Sequence, residues 1–175
     1  ILKRIPYEEI QQHEVYLKDT LQKVDIRAEL TIAGSYRRKR PDSGDIDLLI
    51  KSSNKKTYEK FIDVLTQGGY LTCMLARGPK KYMGMGKIDS SPCHRRIDIM
   101  YTKPTEYPFA ILYFTGSGDF NVRMRNDALK QGYTMNEYSI KHNESGEIVD
   151  KVFKEEKEIF KFLGFDYLEP ENRLS

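Results

Sequence analysis

Residues 34–50 read Gly34-Ser35-Tyr36-Arg37-Arg38-Lys39-Arg40-Pro41-Asp42-Ser43-Gly44-Asp45-Ile46-Asp47-Leu48-Leu49-Ile50. An apolar run closes on Gly34-Ser35, and a second, alternating apolar run opens at Asp45 and continues to Lys51. The pattern predicts a strand over 30–34, a tight glycine turn, a basic segment and a second strand over 45–51. Glycine lets the backbone approach an anion while N–H groups and a hydroxyl point at it, so Gly34 and Ser35 are candidate phosphate ligands. Residues two apart on a strand share a face, so the carboxylates of Asp45 and Asp47 point the same way. Two like charges ahead of an apolar run are unfavourable unless a cation lies between them.

Oxygen ligands of this kind suit magnesium, which keeps some waters and takes further ligands from substrate phosphates. A third carboxylate is then wanted from a neighbouring strand. Asp98, in Arg95-Arg96-Ile97-Asp98-Ile99, has the apolar neighbours and the alternation for it. Three carboxylates suffice for two metal ions ~3.5–4 Å apart, one beside an attacking oxygen and one on a triphosphate. Asp-x-Asp alone is also the ordinary make-up of a strand end or turn. The order Gly34-Ser35, Arg38, Gly44-Asp45-Ile46-Asp47, with Asp98 on a separate strand, favours the site.

Outward from this stretch, Pro6, Glu8 and Glu9 start a helix that runs to about Lys23, with Ile10, Leu17, Leu21 and Val24 on one face. Tyr58, Phe61, Ile62 and Leu65 have amphipathic spacing over 56–67, ended by Gly68-Gly69. Segments 70–76, 81–88 and 95–101 read as strands. After Lys103-Pro104 the pattern turns helical, over 109–114 and 119–131. A short sheet element over 133–141, a turn at 143–146 and a last helix over 154–163 complete the chain. The expected fold is α+β: a mixed sheet of about five strands flanked by helices in a first lobe, 1–104, and a smaller helix-rich lobe with a short sheet, 105–175.

A chain of 175 residues, 39% hydrophobic, is long enough to bury a core and too short for two large domains. It begins with Ile1, so a fragment or processed product is expected. With no 18-residue apolar run and no signal segment, a soluble intracellular protein is expected, nuclear in a eukaryotic cell and otherwise cytoplasmic or viral. Cys73 and Cys93 have no CxxC spacing and read as reduced thiols. The net charge of +3 is modest, but its positives cluster at 37–40, 80–81 and 95–96, as a phosphate-backbone reader requires. Such runs are also ordinary solvated surface.

The segment 34–50, with His94-Arg95-Arg96-Ile97-Asp98-Ile99 and the run Tyr113-Phe114-Thr115-Gly116-Ser117-Gly118-Asp119-Phe120-Asn121, resembles the family X DNA polymerases of the beta and lambda type. The resemblance runs from Lys3-Arg4-Ile5-Pro6 to Glu169-Pro170 and implies a nucleotidyltransferase palm followed by a nucleotide- and template-binding subdomain. It implies that Asp45 and Asp47 bind two Mg2+ ions, with Mn2+ as a substitute, and that Asp98 binds the ion beside the primer 3′-hydroxyl. Arg96 would pair with Asp98. Arg4, Gly34, Ser35, Arg38, Ser43 and Gly44 match triphosphate-binding positions. Tyr113, Phe114, Thr115 and Gly116 match the sugar-facing segment, Asn121 the minor-groove contact to the incoming base, and Arg125 the contact to the templating strand. The implied partners are a primer-template or gapped DNA and deoxynucleoside triphosphates, with a monomeric enzyme, no membrane and short-gap repair synthesis.

The chain also departs from the family pattern. Gly118 stands where beta-type members carry an aspartate over the incoming base, and Met100 where they carry an arginine that exchanges partners on closure. Its partners Glu137 and Tyr138 are retained, so closure is expected to depend less on that exchange. Tyr113-Phe114 replaces the Gly-Trp pair of template-independent relatives, which favours template-directed synthesis. No lysine suited to lyase chemistry is identified. The alternatives are a template-independent or RNA-type nucleotidyltransferase on the same scaffold, a small-molecule nucleotidyltransferase, and an inactive DNA-end-binding module.

Overall fold

In the computed structural model, which describes residues 3–174, the chain enters through a two-residue strand, β1 (Ile5–Pro6), directly into helix α1 (Tyr7–Val24). Pro6 suits that junction because its missing N–H is not needed at a helix start. Ile10, His13, Leu17 and Leu21 form the buried stripe of α1 at helical spacing. Strand β2 (Glu29–Ile32), one helical turn α2 (Gly34–Arg37), β3 (Asp42–Ser43) and β4 (Ile46–Lys51) follow. Helix α3 (Lys55–Gln67) is capped by Asn54, whose side chain accepts from the Lys56 N–H at 3.0 Å. Strands β5 (Leu71–Arg77), β6 (Lys81–Gly86) and β7 (Arg95–Thr102) complete the first lobe.

These strands form one mixed five-stranded sheet in the order β2-β4-β7-β6-β5, in which only the β4–β7 pairing is parallel. Alternation divides the sheet into two faces. Ile46, Leu48, Ile50, Ile97, Ile99 and Tyr101 pack with α1 and α3 in the main core. Leu49 and Met100 point the other way, into a small apolar cluster with Ala110 and Ile111. Asp47 and Asp98 share the parity of Leu49 and Met100, so the second face carries apolar packing at one end and carboxylates at the other.

The second lobe consists of α4 (Tyr107–Thr115), α5 (Gly118–Lys130), the hairpin β8 (Tyr133–Met135) and β9 (Ile140–His142), and α6 (Glu156–Phe162). Its own core gathers Phe109, Leu112, Phe120, Met124, Ile159 and Phe160. No helix among the described residues is long and apolar enough to cross a membrane.

Four local expectations change. The strand expected over 30–34 ends at Ile32, and Gly34-Ser35 opens a helical turn in which the Arg37 and Arg38 N–H groups donate to the Ala33 and Gly34 carbonyls. The turn satisfies these groups locally, which an extended basic segment does not. Segment 133–141 divides into two strands because the Asn136 side chain accepts from the Tyr138 and Ser139 N–H groups, folding a turn between them. The last helix starts at Glu156, with the Lys154 N–H taken by the Glu158 carboxylate. The β1–β3 pair, too short to carry a periodic signal, goes beyond the sequence reading altogether.

Candidate active site

Asp45, Asp47 and Asp98 offer ligand oxygens that all lie within 4.8 Å of one another. Two features of the backbone produce this. The parallel register of β4 and β7 sets Asp47 directly beside Asp98, and Asp45 precedes β4 with the parity of Asp47. Burial is graded: Asp45 is exposed, Asp47 half-buried and Asp98 buried. Burial, reinforced by Asp45 and Asp98, pushes the Asp47 carboxyl up to about 7. Burial and the charge of Asp98 also raise Asp45, against the opposing pull of Arg96, Arg4 and Lys81. An acid that resists ionisation because it is buried beside two others is one that a divalent cation would relieve. The donor set, three carboxylates with no soft ligand, fits magnesium or manganese.

Arg96 Nη2 donates to Asp98 Oδ1 at 3.0 Å while Nη1 donates to the Gly84 carbonyl at 2.6 Å, so the guanidinium is braced from β6 and in turn fixes the carboxylate. Gly34 lies against Asp47: a Cβ at position 34 would stand 3.0 Å from Asp47 Oδ2, and its φ of +63° is one that side chains rarely adopt. Position 34 therefore needs glycine on two grounds.

Beside the carboxylates is a cationic and hydroxylic cradle. Arg38 Nη1 donates to the Thr115 carbonyl at 2.5 Å, joining the basic turn to the end of α4. Burial and Arg40 both oppose its charge. Three buried side-chain polar atoms among the described residues have no hydrogen-bond partner: Arg38 Nε, Ser43 Oγ on β3, and Arg173 Nη2, whose guanidinium pairs with Glu156. Buried donors left in this way suit a site built for a polar ligand. Arg4 bonds Asp42 through Nε at 3.0 Å, and its Nη1 would stand 3.4 Å from a Cβ on Gly44. Ser35 lies half-buried on the first turn of α2.

From the second lobe, α4 delivers Tyr113, Phe114, Thr115 and Gly116 to the same edge: the Phe114 carbonyl would be 4.0 Å and Arg38 Nη1 3.0 Å from Cβ atoms on Gly34 and Gly116 respectively. Asn121 Nδ2 donates to the Tyr113 carbonyl at 2.7 Å, and the Arg125 guanidinium lies 5.5 Å from the Tyr113 ring centre. Nothing stands within 4 Å of a Cβ on Gly118. Met100 is packed in the apolar cluster under α4. Tyr138 is elsewhere, on the β8–β9 turn, where Lys80 Nζ lies 5.6 Å from its ring, and Glu137 makes no ion pair among the described residues.

An ion cluster between the lobes escapes the sequence reading. Glu156 accepts from Arg37 Nη2 and Arg173 Nη1, each at 2.6 Å, and Lys39 pairs with Glu171 at 3.0 Å. Of the basic run at 37–40, Arg37 and Lys39 therefore pair with carboxylates of the second lobe, and Arg38 with the Thr115 carbonyl. Glu156 sits in Glu155-Glu156-Lys157-Glu158, which has the composition of any solvated helix start, so no local signal marks it.

A Gly-Ser turn, an Asp-x-Asp strand and a third aspartate on the parallel neighbouring strand together define a nucleotidyltransferase palm. Comparison with known proteins narrows the class. Residues 4–104 match the family described as DNA polymerase beta palm, and residues 110–174 match DNA polymerase beta thumb. The chain belongs to the family X DNA polymerases, of the beta type. It is 32% identical over 190 residues to DNA polymerase lambda of Rattus norvegicus and 28% identical over 195 residues to DNA polymerase lambda of Arabidopsis thaliana. Those matches cover 98% and 99% of this chain but 33% and 37% of the relatives, so the chain spans about a third of their length. Repair DNA polymerase X of African swine fever virus is 29% identical over 145 residues, covering 83% of this chain and 81% of its own.

Proposed function

We propose that this protein is a template-directed DNA polymerase that adds deoxynucleotides to a primer 3′-hydroxyl, in short-gap repair synthesis. The observation that carries the reading is the meeting of Asp45, Asp47 and Asp98 within 4.8 Å, with Gly34 against Asp47. The names of relatives, a DNA polymerase lambda and a repair DNA polymerase X, support DNA synthesis and the repair role. The two family matches, over 4–104 and 110–174, support a division into palm and second subdomain at 104/105.

Asp45 and Asp47 would hold two Mg2+ ions, or Mn2+, and Asp98 the one nearer the primer; bound there, the ions acidify the attacking hydroxyl and neutralise phosphate charge. The reaction joins the primer oxygen to the α-phosphate with loss of pyrophosphate, and the protein contributes positioning and electrostatics. Arg96 holds Asp98 in its ligating orientation. Arg38, with Ser35, Ser43, Gly44 and Arg4, would take the β and γ phosphates. Tyr113 to Gly116 would lie along the sugar, bringing backbone close to the ribose 2′ position. Asn121 and Arg125, now tied to Tyr113, would turn to the minor-groove acceptors that all base pairs share. A monomeric enzyme is proposed. A nuclear site of action is proposed for a eukaryotic source, and a cytoplasmic or viral one otherwise.

The test is primer extension on a one-nucleotide gapped duplex, with an unpaired single strand as control and deoxy- and ribonucleotides compared. Metal-dependent extension confined to the gapped duplex and deoxynucleotides is expected. Extension of the single strand would favour a template-independent enzyme, and no extension with retained DNA binding an inactive end-binding module.

A further inference from the structure

The two faces of β7 carry different chemistry at its first turn of residues. Arg96 and Asp98 face the carboxylate cluster, whereas Arg95 points into the other side and is buried at 6% exposure. There Arg95 Nε and Nη2 form a fork to Glu9, at 2.7 and 2.6 Å. Its remaining nitrogen, Nη1, donates to the carbonyls of Lys3 and Arg4, at 3.2 and 3.4 Å. Glu9 is itself held by His13, fully buried, whose Nε2 is 3.2 Å from Glu9 Oε2 and whose Nδ1 is 2.7 Å from the Tyr70 hydroxyl. An ionised Glu9 only accepts, so His13 Nε2 donates to it; burial favours the neutral ring, whose Nδ1 then accepts from the Tyr70 hydroxyl.

The other tethers of Arg4 are its neighbour Ile5, buried and paired with Ser43, and its own side-chain bonds to Asp42. Strand β1 is two residues long, one of them Pro6, which has no N–H to give to β3. The Arg4–Asp42 pair is exposed, with 62% and 48% of the side chains in solvent, and such pairs hold little. The main chain of Arg4 is thus held from beneath by the Arg95 guanidinium, beside the anchor of the buried Ile5 that follows it.

We propose that Arg95 is a positioning residue that sets Arg4 at the triphosphate cradle, with Glu9 holding Arg95 and the His13–Tyr70 pair holding Glu9. The role rests on the reading of Arg4 as a phosphate ligand. A lysine cannot reproduce it, because an ammonium is a point charge and cannot fork to Glu9 while donating to two carbonyls.

The experiment is a double-mutant cycle on the intact protein, reading equilibrium binding of dATP with Ca2+ by titration calorimetry and the nucleotide KM and kcat in extension. Arg4→Ala and Arg95→Lys are each expected to weaken dATP binding and to raise the nucleotide KM about tenfold, with a smaller change in kcat than in KM. The double variant is expected to be no weaker than Arg4→Ala alone, since Arg95 acts only through Arg4. Additive losses, or unchanged binding in Arg95→Lys, would overturn the role. Should Arg95→Lys fail to fold, Glu9→Leu with Arg95→Met removes the buried pair together, which cores tolerate, and the same non-additivity is read. If Arg4→Ala leaves dATP binding unchanged, the phosphate-ligand reading falls and this role with it. If Arg4→Ala weakens binding and the Arg95 variants do not, only the positioning role falls.

Discussion

Asp47 and Asp98 are register partners across the parallel β4–β7 pair, so their carboxylates leave one face of the sheet side by side. Asp98 alone of the site's acids is clamped by an arginine, Arg96, at 3.0 Å. On the proposed reading, Asp98→Ala removes a metal ligand and no phosphate contact. Extension is expected to fall by at least about a thousandfold while DNA binding, measured by fluorescence anisotropy, stays within about twofold. Undiminished extension would reject the assigned role.

Metal binding should carry a pH signature. Without metal the Asp47 carboxyl titrates at about 7 instead of 3.8, raised by burial and by Asp45 and Asp98. A raised folded-state value contributes stability that is complete below pH 3.8 and lost as pH climbs through about 7. The metal-free protein is therefore expected to melt progressively lower across that window, and Mg2+ to restore the loss. Calorimetry in two buffers should detect proton release on Mg2+ binding below pH 7 that fades above it. Equal release at pH 6 and pH 8.5 would contradict the assignment.

Arg38 joins the basic turn to the Thr115 carbonyl and leaves Nε buried without a partner. Arg38→Ala is expected to raise the nucleotide KM by roughly ten- to a hundredfold, the worth of one or two charged hydrogen bonds. An effect confined to kcat would argue against phosphate binding.

Glu156 is the stability counterpart. Burial raises its carboxyl, but Arg37 and Arg173 outweigh burial and bring it below the usual 4.5. Glu156→Leu strands two cations and is expected to cost about 3–5 kcal/mol in denaturant unfolding. The wild-type contribution is present above pH 4.5 and lost as pH falls through the lowered value, so acid unfolding of wild type and variant should converge at low pH. A variant as stable as wild type at pH 7 would show that the cluster holds nothing.

Much of this was legible from local sequence. Period-two alternation in Asp45 to Lys51 and Arg95 to Thr102 dictates which side chains share a face, and 3.6-residue spacing in α1 and α3 dictates which bury. These are properties of a few consecutive residues, and the residues themselves enforce them. Gly34 was read as a close approach to an anion; the contact the structure gives it is the Asp47 carboxylate, which reaches it only through the β2–β4 pairing.

Only the tertiary structure decided the rest. Arg37, Arg38, Lys39 and Arg95 look alike in sequence, yet Arg37 and Lys39 pair with carboxylates of the second lobe, Arg38 donates to the Thr115 carbonyl, and Arg95 is buried against Glu9. A guanidinium carries no local preference among these fates; its partner is chosen by which carboxylate or carbonyl folding brings within about 3 Å, often from many residues away. The strength of the carboxylate cluster has the same origin, because the charge on Asp47 depends on burial and on neighbours that only the sheet register brings together.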